Sequence, residues 1–135
     1  LELMGRYNLT MMGGPPVHYM VADAAGNSAI IEYVRQEMRV LRGDGSYQVA
    51  TNFVLSDTPP TDPQAQCWRY RMANGVLRAT GGVLAEGEAL DLLGDTSQRN
   101  TVWSAVYNLT TGEYLVVMGR RYDQARPFRL TMSAR

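Results

Sequence analysis

Between residues 101 and 118 the chain carries two extended runs whose apolar side chains occupy both odd and even positions. In the first run Val102 and Val106 project to one side while Trp103 and Ala105 project to the other, and Tyr114, Leu115, Val116 and Val117 repeat the pattern in the second. Successive side chains of a strand point to opposite faces, and a strand that is apolar on both faces is one covered on both faces. Asn108, Leu109, Thr110, Thr111 and Gly112 supply the turn between the runs. Such a hairpin belongs inside a layered stack, with helices over one side and a further layer over the other.

The remaining segments supply strands before it and two helices. Residues 1–16, with Gly13, Gly14, Pro15 and Pro16, have weak periodicity and read as a connecting or edge segment; residues 17–135 read as the domain proper. Residues 17–23 form a predicted strand, Ala24 to Asn27 a turn in which Gly26 and Asn27 tolerate positive φ, and residues 28–33 the returning strand. A third strand is expected at 38–41, a turn at Gly43, Asp44 and Gly45, and a fourth extended run at 47–52. Residues 58–63 are a loop, and Asp62 followed by Pro63 makes a good helix start. A helix is predicted over 64–77, weakened by Gly75 and broken at Gly81 and Gly82; a second runs from about 84 to 93 and ends at Gly94. A last strand covers 127–132. The fold class is α+β, dominated by antiparallel strands. Two short helices cover only one face, so a second sheet is expected over the other.

Composition removes several functions. The chain of 135 residues has 13 basic and 13 acidic side chains and no charge run, which leaves no footprint for nucleic acid or an anionic membrane. All 13 basic residues are arginine, so lysine-based Schiff-base or general-base chemistry is excluded within the chain. No stretch is long and apolar enough for a membrane span. The single cysteine, Cys67, forms no intrachain disulfide and fits a reducing, cytoplasmic setting. His18 is the only histidine, and no spaced ligand cluster suggests a metal or other cofactor. Asn8 and Asn108 each open an Asn-Leu-Thr sequon, which reads as chance, with Asn108 a turn residue.

Four segments carry a resemblance. His18, Asp23, Gly26, Ser28 and Glu32 stand in a pattern close to His-apolar-Asp-x-x-Gly-x-Ser-x-apolar-Glu; Thr51-Asn52 follows, then Trp68-Arg69-Tyr70, then Thr101-Val102-Trp103-Ser104 running to Tyr107. In this order they resemble the choloylglycine hydrolase and acyl-CoA:6-aminopenicillanic acid acyltransferase families. The resemblance implies an N-terminal-nucleophile hydrolase with an αββα sandwich, acting on linear, non-peptide amides by hydrolysis or acyl transfer. In such enzymes an N-terminal cysteine supplies the thiol nucleophile and its own α-amine the base. This chain opens on Leu1. The resemblance therefore implies that it is the C-terminal part, that its partner is the missing N-terminal half (from the same precursor or a second chain), and that alone it hydrolyses nothing and associates with itself or another chain.

By resemblance, Asn52 and Arg69 are the catalytic residues. Asn52 offers a neutral amide donor to a developing oxyanion, against the alternative of a strand-end turn residue. Arg69 offers a fixed positive charge near a thiolate, against a surface arginine with Arg71 as competitor. Thr51, His18 and Trp68 are assigned to substrate binding. His18 alternatively just begins a strand, and Trp68, like Trp103, reads as core that can border an acyl pocket. Cys67 reads as a small buried group inside a helix. Asp23 and Glu32 read as hairpin residues, Asp23 starting the turn and Glu32 ending a strand. The competing class of function is a non-catalytic α/β binding or scaffold module that pairs with another chain.

Overall fold

The computed structural model describes residues 2–7, 17–59 and 67–131. The chain divides into two compact units, Leu1–Asn74 and Gly75–Arg135.

The first unit opens with a single helical turn, α1 (Glu2–Gly5), inside the segment read as a connector. Three antiparallel strands follow: β1 (His18–Ala22), β2 (Ser28–Val34) and β3 (Glu37–Arg42), in the order β1-β2-β3. The β1–β2 turn is built by Asp23, whose Oδ1 accepts the N–H groups of Ala25 (2.9 Å) and Asn27 (3.0 Å). Gly26 sits there at φ 85°, the left-handed conformation glycine accepts without penalty. The β2–β3 turn uses Arg35 and Gln36 at φ 52° and 68°, two non-glycine residues in the geometry that matches strand twist. The register pairs His18 with Glu32 and Glu32 with Arg39, so these three share one face. Tyr19, Ile31 and Val40 share the other.

The central strand β2 holds the core: Ala29, Ile30, Ile31 and Val34 are buried, and so is the charged Glu32. On the Glu32 face lie residues 47–57, including a 3-10 turn at Leu55–Asp57. The fourth extended run expected at 47–52 is no strand. Its polar groups bond elsewhere: Gln48 Nε2 donates to the Leu41 carbonyl (3.1 Å) and the Tyr47 hydroxyl to Asn74 Oδ1 (3.0 Å). On the opposite face the Tyr33 hydroxyl donates to the Met4 carbonyl of α1 (3.1 Å).

Helix α2 (Trp68–Ala79) begins later than predicted; the Asp62–Pro63 start lies outside the described residues. Half-buried Arg69, Tyr70, Ala73, Asn74, Val76 and Leu77 recur at helical spacing and mark its inner side. The helix ends as expected at Gly81 and Gly82: Gly82 N–H returns to the Leu77 carbonyl (2.7 Å), with both glycines at positive φ.

The second unit contains α3 (Glu86–Asp95) and a second antiparallel sheet, β4 (Trp103–Tyr107), β5 (Glu113–Met118) and β6 (Arg126–Arg129). Gly94 lies inside α3 rather than beyond it; the helix stops at Thr96, whose hydroxyl donates to the Leu92 carbonyl (2.7 Å). Asn108 fulfils its turn role, its Oδ1 accepting the N–H groups of Thr110 and Thr111 (3.0 Å each). The Tyr122 hydroxyl joins α3 to the sheet, donating to the Leu93 carbonyl (3.0 Å) and meeting Ser104 Oγ at 2.9 Å.

Val117, on the same face as Ser104, is fully buried. The opposite face is open: Trp103 is 60%, Tyr107 52%, Met118 48% and Phe128 48% exposed. Trp103 is therefore no core residue, and the cover expected over both faces is present on one. On the open face Tyr107, Tyr114 and Phe128 stack across the three strands at 5.2 and 5.3 Å.

Candidate active site

Four of the five residues singled out by sequence, Thr51, Asn52, Trp68 and Arg69, lie in the first unit on the loop after β3 and at the start of α2. Phe53 closes a tight bend, its N–H donating to the Thr51 carbonyl (3.0 Å). Its ring meets Tyr70 edge-on at 5.2 Å. That contact brings Thr51 and Asn52 to the first turn of α2, which carries Trp68 and Arg69.

Cys67 stands just before α2 rather than inside it; its carbonyl accepts the Arg71 N–H (3.2 Å), the first bond of the helix. Burial pushes the thiol up, but the Thr51 hydroxyl, the backbone N–H groups of Tyr70 and Arg69 and the Arg69 guanidinium outweigh it, and the net shift is downward. This is the environment of a helix N-terminus, where unpaired N–H groups favour negative charge. Arg69 Nε is buried without a hydrogen-bond partner among the described residues. An orphaned buried polar atom costs about 1–3 kcal/mol.

Asn52 is exposed on the bend. Trp68 is 46% exposed on the outer side of α2, which corrects the core reading for that residue. His18 is set on β1, its Nδ1 3.3 Å from Glu32 Oε1. The pairing makes His18 a companion of the buried carboxylate. An open cleft of about 480 Å³ is lined by Tyr47, Gln48, Val49, Leu55, Tyr70 and Asn74 among others. None of the five sequence-predicted residues lines it, though its wall residues Leu55 and Tyr70 flank the Thr51–Phe53 bend.

Sequence reasoning gave Glu32 only a strand-ending role. Its carboxylate is instead the anchor of the loop, accepting the N–H of Leu55 on Oε1 (2.7 Å) and of Ser56 on Oε2 (2.8 Å). Burial raises its pKa, yet the hydrogen bonds from Ser56, Leu55 and His18 prevail and hold it below the ordinary carboxylate value. Arg39, its neighbour on β3, donates to the Ser56 carbonyl (3.2 Å) and lies 3.8 Å from Asp57. A signal was available: Glu32 is the one charged residue between Ile30-Ile31 and Tyr33-Val34. A carboxylate inside such a run is buried and must find partners.

Among the described residues no group of three or more His, Cys, Asp or Glu side chains is arranged to hold a metal ion. No helix among them is long and apolar enough to cross a membrane. Residues 1–55 match the family model described as linear amide C-N hydrolases, choloylglycine hydrolase family. The match takes in His18, Glu32, Thr51 and Asn52 and stops before Trp68 and Arg69. Comparison with curated proteins and with solved structures finds no match.

Proposed function

Taking residues 1–55 as sequence of the choloylglycine hydrolase family of linear amide C-N hydrolases, we propose that the chain is the part of such an enzyme that presents Asn52 and Arg69 to a thiol supplied by another segment. The thiolate attacks the amide carbonyl, the carbon–nitrogen bond breaks, the amine leaves with a proton, and water or a second amine takes the acyl group from the thioester. Asn52 Nδ2–H donates to the oxygen as it gains charge. Arg69 supplies fixed positive charge beside it. The observation that carries this reading is the exposed Asn52 on a bend held before it by Tyr47 and Gln48 and after it by Phe53 on Tyr70 and by Glu32. Pinning on both sides of an exposed donor is what preorganised charge stabilisation requires.

In the same reading the open aromatic face of the β4–β5–β6 sheet is where a further layer of an αββα sandwich stacks. Exposed apolar patches of this kind mark partner surfaces. That face equally suits the second reading, a scaffold module that pairs with another chain and catalyses nothing. Activity separates the two. The enzyme comprising this chain and its nucleophile-bearing segment should release amine from small linear amides, and Asn52→Ala should lower kcat by about 10²–10³-fold. Undiminished kcat in Asn52→Ala refutes the role given to that amide. Complete loss in Cys67→Ala would move the nucleophile onto this chain and refute the supplied thiol.

A further inference from the structure

We propose that Glu32 is a positioning residue for the Asn52 amide: a buried carboxylate on the central strand that sets where the catalytic donor stands. The inference rests on the reading of Asn52 given above. Glu32 is 1% exposed, and both its oxygens are committed to consecutive backbone N–H groups of the turn that begins three residues after Asn52. A carboxylate gripping two successive amides fixes the turn in orientation as well as in distance. Arg39 holds the same turn from its carbonyl side at Ser56. Phe53, next to Asn52, is held against Tyr70. These anchors follow Asn52, and before it Gln48 holds the chain to the Leu41 carbonyl, so the backbone at Asn52 is fixed from both directions although the residue is exposed. A charged side chain in the centre of a sheet is a costly way to hold a loop; apolar packing would stabilise the unit as well without fixing the backbone so tightly. What the carboxylate adds is aim.

The test is a double-mutant cycle in the amide-hydrolysing enzyme that contains this chain, with kcat and KM measured per mole of folded protein. Glu32→Gln keeps the shape of the side chain but turns one acceptor into a donor facing an N–H. Expected is a fall in kcat of about 10–100-fold with KM changed less than about threefold, because displacement by about 1 Å costs on that scale. In an Asn52→Ala background the same change should cost less than about threefold, since nothing remains to be aimed. Equal losses in both backgrounds overturn the positioning role and leave the reading of Asn52 intact. An Asn52→Ala enzyme with full kcat overturns both.

Should Glu32→Gln fold poorly, Leu55→Pro asks the same question more gently. Val54 is already extended (φ −74°, ψ 109°), as a residue before proline must be, and proline at the first position of the turn removes the donor to Oε1 together with the leucine side chain, the latter controlled by Leu55→Ala, which keeps the N–H. The same loss of kcat, and the same disappearance of that loss beside Asn52→Ala, are expected. A Leu55→Pro enzyme with unchanged kcat overturns the proposal.

Discussion

The central strands of the two sheets read alike and are buried differently. Both β2 and β5 carry apolar residues on odd and even positions. In β2, four successive residues from Ala29 to Glu32 are buried; in β5 only Val117 is. The contrast lies in what covers them. The first sheet has residues 47–57 on one face and α1 against Tyr33 on the other. The second has α3 and Tyr122 on one face and stacked, half-exposed aromatic rings on the other. Apolar content on both sides of a strand thus states a demand for cover, and says nothing about which segment meets it.

The largest test of this contrast is paired truncation. Ile31→Ala should lower stability by about 2–5 kcal/mol, the range for a fully enclosed aliphatic side chain, while Phe128→Ala on the open face should cost about 1 kcal/mol or less; denaturant midpoints with unchanged slopes would read both. Equal losses would mean that the open face is covered in solution. Next comes acid. Glu32 has a folded pKa below its unfolded one, so its contribution is present above the unfolded value and is lost as pH falls through the folded value. Unfolding midpoints taken from pH 7 to pH values below the ordinary 4.5 of a glutamate should fall, and Glu32→Gln should start about 1–3 kcal/mol lower and vary less over that range. Tyr122→Phe, which removes the link from Leu93 to Ser104, should cost about 1 kcal/mol in the second unit, seen as a loss of amide protection confined to α3 and β4. The smallest effect has the opposite sign. Gly94→Ala places a methyl at ordinary contact distance from the Tyr122 ring, 3.5 Å, and should stabilise α3 by about 0.5–1 kcal/mol through helix propensity, read as a higher unfolding temperature.

Local grammar was legible where one residue decides one turn. Asp23 and Gly26, Asn108, and the Gly81–Gly82 stop all act as their chemistry suggests, and all six strands fall within two residues of expectation at their starts. The run at 47–52 misled because extended residues become a strand only with a neighbour to pair, and here Tyr47 and Gln48 spend their polar groups on a helix and a strand end. Gly94 misled because a glycine can lie within a helix as well as end one. For the site, sequence order brought Thr51, Asn52, Arg69 and Trp68 to attention, and the fold gathers their segments at one corner. It did not reveal that Cys67 opens α2, since that depends on which of several residues starts the helix. Nor did it reveal the reach from Glu32 to Ser56, a contact across 24 positions that no local pattern encodes.

The placement of the indoles has a practical consequence. The chain has two tryptophans, Trp68 on the outer side of α2 and Trp103 on the bare side of β4, 46% and 60% exposed. Each lies in a different unit, so single-tryptophan variants give one optical reporter apiece. In the folded, solitary chain both should emit as solvated indoles, with little change on unfolding. A blue shift from Trp103 alone would announce that something has come to rest on that aromatic surface.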